Sequence, residues 1–221
     1  MTEPPRIETI ETAGRPISFS VHGKGPCAVI LGPGAGGTRT TPQLLSVAAF
    51  LDPERYTTVL FNFPYQEAKR KFPDQAPILE GAITDLASFA RTHLSAKKIV
   101  LGGRSMGGRM ASQAVANGLA CDGLAFLAYP LHPPKQETKL RDAHLPSIQV
   151  PMLFLQGTRD EFARLDRLEA TVARLGPNAT LHLFQDADHS FKTPRGAALN
   201  SKQTEAALLK TLAAWLDKIV D

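Results

Sequence analysis

Cysteine is scarce in this chain. Only Cys27 and Cys121 occur among 221 residues. Two isolated thiols supply neither a disulfide framework nor a metal cluster, so no metal and no cofactor are implied. Long apolar runs are missing as well. None approaches the roughly 18 residues that a membrane-spanning helix needs, and no membrane partner is expected. The opening stretch MTEPPRIETIE has no apolar core of the kind a secretory signal carries, which makes a cytoplasmic protein the expectation. Nor is there a block of like charge. The formal net charge is +4, and the densest basic cluster is the tripeptide Lys69–Lys71. A dedicated nucleic-acid binder usually shows a basic stripe, so nucleic acid is not expected as a partner; an anionic small molecule suits this mild excess at least as well.

What is present is enough apolar material for one sizeable core, at 43% of residues. No internal repeat or low-complexity linker divides it. One domain spanning residues 1–221 is therefore expected. Continuous apolar runs read as strands buried on both faces: Cys27–Gly32, Tyr56–Phe63, Lys98–Gly103, Gly123–Pro130 and Pro151–Gly157. Pro16–Val21 alternates at period two and reads as a strand, with an edge position expected; Thr180–Gln185 is a more polar strand. Between them, apolar residues recur at helical spacing over Thr41–Phe50, Ile78–His93, Met106–Asn117, Phe162–Leu175 and Thr204–Ile219. Strands alternating with helices predict an α/β fold, a mostly parallel, doubly wound sheet covered on both faces. Two Pro- and charge-rich segments, Pro64–Pro77 and Pro130–Val150, stay irregular and are expected to run over the strand ends where ligands bind.

The stretch VLGGRSMGGRMAS, Val100–Ser112, carries the most chemistry. Gly103, Arg104, Ser105, Met106 and Gly107 match G-x-S-x-G, with a strand before and a helix after. A serine lifted above a sheet edge needs a sharp, strained turn. Side chains two residues to either side would collide with the neighbouring strand and helix, hence the glycines. A serine nucleophile needs a base, and His189 in QDADHSF follows the last strand. His93 and His182 read as surface or packing residues, while His132 and His144 fall in the irregular Pro130–Val150 segment. The acid is expected after the preceding strand, where LFLQGTRDEF places Asp160. Glu161, Asp186 and Asp188 are rivals, the last two placed to shape the loop of His189, and a helix cap is the alternative role for Asp160. The loop LGPGAGG, Leu31–Gly37, offers a backbone donor for an oxyanion. Pro33 has no N–H, so Ala35 is the candidate, with Met106 as its partner. The same loop lacks the Lys-Ser/Thr ending of a phosphate-binding P-loop.

Taken in order, GPGAGG, GGRSMGG, GTRD and DHSF resemble the α/β-hydrolase superfamily, in its small lid-less branch near the dienelactone hydrolases. FNFPYQEAKRKFPDQAP, SMGGRMAS and YPLHPP…LRDAHL are similar to the small α/β-hydrolases grouped with the testis-expressed and NSL-complex-subunit proteins. The resemblance runs from about Val29 to the final helix. It implies Ser105 as nucleophile, Asp160 as acid, His189 as base, and Met106 and Ala35 as oxyanion donors. The chain departs from many superfamily members in having Pro33 where they have histidine, and it has no insertion long enough for a separate lid domain. Dienelactone hydrolases use a cysteine nucleophile, so their substrate does not carry over.

The expected function is a serine hydrolase acting on a small ester or thioester, with an anionic substrate among the candidates, as a monomer or homodimer. A non-catalytic interaction protein on a hydrolase scaffold and a peptidase are the alternatives. Arg104, Arg39, Tyr65 and His132 are the candidates to touch substrate, with Lys69, Arg70 and Arg141 as further cations. Arg109, four residues past Ser105, is expected to be a buried ion-pair partner.

Overall fold

The computed structural model describes residues 4–221. The chain forms one eight-stranded sheet. Strands β1 (Arg6–Thr12) and β2 (Arg15–His22) are followed by β3 (Cys27–Gly32), α1 (Pro42–Phe50), β4 (Tyr56–Phe61), α2 (Pro64–Glu67) and α3 (Ala76–His93). Then come β5 (Lys98–Arg104), α4 (Met106–Ala116), β6 (Gly123–Leu127), β7 (Met152–Gly157), α5 (Leu165–Leu175), β8 (Ala179–Phe184) and α6 (Ser201–Val220). Spatial order is β1-β2-β4-β3-β5-β6-β7-β8. The pairs β1–β2 and β2–β4 are antiparallel and all others parallel.

The inner strands are apolar on both faces because both faces are covered. Ala28 and Ile30 of β3 join the core beneath α3, α4 and α5, which contribute Leu86, Met110 and Leu168. The alternate residues Cys27, Val29 and Leu31 join the opposite core, beneath α1 and α6, with Val47, Leu212 and Trp215. Period-two alternation thus feeds two cores from one strand.

Several predicted boundaries move. RIETIET, β1, is an additional strand; its two Ile stand three residues apart among Arg, Glu and Thr and its side chains are mostly exposed, so it carries little apolar signal. It pairs along the whole of β2, which places β2 inside the sheet and not at its edge. Tyr56–Phe63 stops as a strand at Phe61, three residues before the proline that opens α2. The helix expected from Phe162 starts at Leu165, because Asp160 first turns the chain by accepting the N–H of Ala163 (3.2 Å).

The strand order positions the site. From β3 the chain steps to β4 on one side and then to β5 on the other. The crevice at the carboxyl ends of β3 and β5 is the topological switch point, where open α/β sheets bind ligands.

Candidate active site

Ser105 sits in that crevice, between the end of β5 and the first residue of α4. Its backbone is in the sterically disfavoured positive region, φ 49° and ψ −113°. The strain is sustained from outside: the Ser105 N–H donates to Leu127 O of β6 at 2.9 Å. The flanking glycines are required by contact. Gly103 has φ +136°, and a Cβ there would stand 2.1 Å from the carbonyl oxygen of Gly32; one on Gly107 would stand 2.2 Å from the same oxygen. The turn therefore holds the serine hydroxyl above the sheet, with the N-terminal end of α4 beneath it.

The loops after β7 and β8 meet above this turn. Arg159 N–H donates to Ala187 O at 2.9 Å, and Asp186 N–H to Thr158 Oγ1 at 2.9 Å. That packing brings Asp160 and His189 together from 29 residues apart. His189 Nδ1 lies 2.7 Å from Asp160 Oδ2, and His189 Nε2 lies 2.9 Å from Ser105 Oγ. A carboxylate only accepts, so Nδ1 carries the ring proton and Nε2 is free to accept from the hydroxyl. The Asp160 side chain is fully buried and that of His189 is 13% exposed. The Phe162 ring covers the imidazole at 4.3 Å between centroids. Asp188 accepts from the N–H groups of Ser190 and Lys192, so it shapes the loop of His189, as its nearness in sequence suggested.

Two supporting residues were not singled out from sequence. Gln156, at the end of β7, is fully buried and donates through Nε2 to Asp160 Oδ2, while Phe162 N–H serves Oδ1 at 2.8 Å. Both carboxylate oxygens are thereby held. Replacing Gln156 by leucine removes one donor from a buried carboxylate, a loss of about 1.5–3 kcal/mol for a charged hydrogen bond. We expect a correspondingly lower melting temperature and weaker turnover by the Gln156→Leu protein, measured by calorimetry and ester kinetics.

Gln43 of α1 is the second. Arg104, expected at the substrate, directs Nε and Nη2 to the protein itself. Nε donates to Gln43 Oε1 at 2.9 Å, and Nη2 to Ser190 Oγ at 2.9 Å and His189 O at 3.4 Å. Gln43 Nε2 closes the circuit on Ser190 O at 2.7 Å. Burial lowers the affinity of the Arg104 guanidinium for its proton, opposed by the charges of Asp160 and Asp188. Arg104 thus clamps the His189 loop to the turn that carries Ser105. For Arg104→Met we expect kcat to fall about tenfold, equivalent to about 1.4 kcal/mol, with a smaller change in KM, and the two to be separated by steady-state kinetics.

The other predicted residues divide. Ala35 is exposed at the top of the loop after β3, and its carbonyl accepts from Tyr65 Oη at 2.7 Å. Tyr65 is 1% exposed. It supports that loop from behind, which corrects its expected place at the substrate. His132 is corrected in the same way: it is 1% exposed, with Nδ1 on Pro133 O at 2.9 Å and Nε2 accepting from Arg164 N–H at 2.9 Å. His144 Nε2 contacts Ser112 Oγ at 2.7 Å. Arg39 donates its backbone N–H to Asn62 Oδ1 at 2.7 Å, and its charge bears on Glu67 and His22. Arg109 has no carboxylate partner among the described residues, contrary to the expected ion pair. Its neighbour on α4 is Gln113, at 3.3 Å. Among the described residues no group of three or more His, Cys, Asp or Glu is arranged to hold a metal. No helix among them is long and apolar enough to cross a membrane.

Solved structures share this architecture. An α/β serine hydrolase homologue from Coxiella burnetii is 20% identical, with 98% of each chain covered and a TM-score of 0.76. A dienelactone hydrolase from Anabaena variabilis is 16% identical over 97% of each chain, TM-score 0.79. An α/β serine hydrolase without a lid, from Xanthomonas campestris, is 20% identical over 97% of each chain, TM-score 0.74. At such identities the likeness is one of fold. The family model described as an alpha/beta hydrolase domain matches residues 26–219, the span from the strand before the first glycine loop to the end of the last helix, and on that match the chain belongs to the α/β-hydrolase family.

Proposed function

We propose that the protein is a serine hydrolase that cleaves a small ester or thioester through an acyl-enzyme. The observation that carries this reading is the position of His189, 2.9 Å from the hydroxyl of Ser105 and 2.7 Å from the carboxylate of Asp160. In the reaction Ser105 Oγ attacks the substrate carbonyl as His189 Nε2 takes its proton. Asp160 keeps the imidazole in the required tautomer and stabilises the imidazolium. The tetrahedral oxyanion is held by the N–H groups of Met106 and Ala35. Each such donor is worth about 3–4 kcal/mol in sites of this kind. Return of the proton to the leaving alcohol or thiol frees it and leaves the acyl-serine. Water activated by His189 then attacks the acyl carbon, and the proton passes back to Ser105 as the acid departs.

The placement of Ala35 at an exposed loop tip supports an open site suited to small or flexible acyl groups, used by a cytoplasmic monomer or homodimer. A fluorophosphonate probe tests the reading, alongside a panel of 4-nitrophenyl esters and acyl thioesters. Covalent labelling of the wild type but not of Ser105→Ala, with matching turnover, is the expected result. Absence of labelling and of turnover in folded wild-type protein would instead favour a binding role on a hydrolase scaffold.

A further inference from the structure

We propose, resting on the serine-hydrolase reading, that Phe162 serves the proton transfer from Ser105 to His189. Its ring caps the imidazole and favours the positive charge that forms there, and buried His132 fixes the ring in place as a positioning residue.

Hydrogen bonds engage an imidazole only at its edge. Asp160 Oδ2 at Nδ1 and Ser105 Oγ at Nε2, at 2.7 and 2.9 Å, settle where that edge lies and leave the two faces to other contacts. One face is taken by Phe162, with 4.3 Å between ring centroids and the planes 34° apart. The face of a phenyl ring is its electron-rich side. While His189 is neutral, the contact is packing. Once His189 has taken the hydroxyl proton, a cation lies over that face, well inside the roughly 6 Å over which such pairs attract. The His189 side chain is 13% exposed, so little water screens the attraction. The contact therefore gains strength as the charge develops, which is the condition for lowering a barrier and not merely for holding a group.

The backbone gives Phe162 little freedom to swing away. Asp160-Glu161-Phe162 turns around the acid itself: the Phe162 N–H donates to Asp160 Oδ1 at 2.8 Å, and the Ala163 N–H to Asp160 O at 3.2 Å. The second anchor comes from the loop after β6. His132 is 1% exposed and brackets Ala163, itself 3% exposed. Its backbone N–H donates to Phe162 O at 3.0 Å, and its Nε2 accepts from the Arg164 N–H at 2.9 Å. A backbone N–H only donates, so the ring proton of His132 is on Nδ1, which donates to Pro133 O at 2.9 Å. The YPLHPP segment thus contributes its histidine behind the acid loop, where it ties the loops after β6 and β7 together on the side of the caged imidazole.

Steady-state kinetics with 4-nitrophenyl butyrate test both residues. Phe162→Leu keeps an apolar cover but no π face, and kcat should fall about fivefold to tenfold with KM nearly unchanged. Phe162→pentafluorophenylalanine keeps the shape of the ring and reverses the polarity of its face; kcat should fall to a similar extent. Phe162→Tyr should regain most of the loss. A ring that only packs is indifferent to fluorination. An undiminished kcat with the fluorinated ring would overturn this role and leave the hydrolase reading intact, and that variant decides the matter even if Phe162→Leu does not fold. For His132, the leucine variant removes the acceptor of the Arg164 N–H and should lower kcat about threefold. His132→Gln offers a side-chain oxygen in place of Nε2 and should recover it. Added to Phe162→Leu, His132→Leu should cost nothing more, because both act through one ring; losses that multiply would overturn the part given to His132.

Nuclear magnetic resonance on protein with isotope-labelled histidine reads the cap without turnover. The ring current of Phe162 should displace the His189 ring-proton signals, and Phe162→Leu should abolish the displacement. Active wild type without the displacement would overturn the cap. Folded wild type that shows it, yet neither turns over esters nor takes the fluorophosphonate, would sink the hydrolase reading and the proton-transfer role with it.

Discussion

Changing Ser105 to alanine will reduce ester turnover by about 10⁴-fold or more, as removal of the nucleophile does in serine hydrolases generally, and will leave the fold intact. The backbone at this position is at φ 49°, but alanine and serine share the same Cβ and so meet the same strain. What disappears is the hydroxyl that His189 Nε2 faces at 2.9 Å. Kinetics and thermal melting on the same preparation check the two halves. A variant that kept more than about 1% of wild-type kcat/KM would place the nucleophile elsewhere. Asp160→Asn should come close to the serine loss, because the amide invites the wrong imidazole tautomer. That exchange costs about 10⁴ in kcat in the Ser-His-Asp template.

Gly107→Ala will strongly destabilise the fold at the site. Helix propensity alone argues the opposite, since alanine is favoured over glycine inside a helix by about 1 kcal/mol. Contact decides against it. The added Cβ would stand 2.2 Å from the carbonyl oxygen and 2.4 Å from the carbonyl carbon of Gly32. Both are backbone atoms at the end of a central strand, and Gly32 is in register with Gly103 of β5. Neither side can retreat without opening the sheet at the turn that carries Ser105. Overpacking costs about 1–3 kcal/mol where side chains can give way, and more where they cannot. A net loss of about 3 kcal/mol lowers the melting temperature by roughly 6–12 °C for a protein of this size. Gly36→Ala is the matched control. Nothing lies within 4 Å of its Cβ position, and stability should move by no more than about 0.5 kcal/mol. Calorimetry of the two variants decides between propensity and contact.

The serine, the acid and the histidine were legible before any coordinates because each belongs to a local pattern. Ser105 is bracketed by glycines between a strand and a helix, while Asp160 and His189 each follow a strand end. Such patterns rest on backbone requirements that act over a few residues, and a sequence records those directly. The five buried strands were legible for the same reason, whereas β1 was not. Five of its seven residues are polar or charged and most are exposed, and the strand exists through its hydrogen bonds to β2.

Residues whose role depends on what faces them were read less well. Tyr65 and His132 are polar residues in segments near the strand ends, which by sequence suits a substrate contact. Both turn inward, and their polar atoms are taken by Ala35, Pro133 and Arg164. Arg104 adjoins Ser105, yet its guanidinium reaches Gln43 and Ser190, 61 and 86 residues away.

The alternation of strands and helices, the strained turn, and the chain order of hydroxyl, carboxylate and imidazole are written in the amino-acid order alone. Each of these follows from steric and apolar periodicity along neighbouring residues. The roles of Gln156 and Arg104 in bracing the site, the withdrawal of Tyr65 and His132 from it, and the lack of a carboxylate partner for the half-buried Arg109 emerge only from the three-dimensional packing. A side chain's partner is set by the packing of loops far apart in the chain, and the free energy of a buried charge depends on that partner.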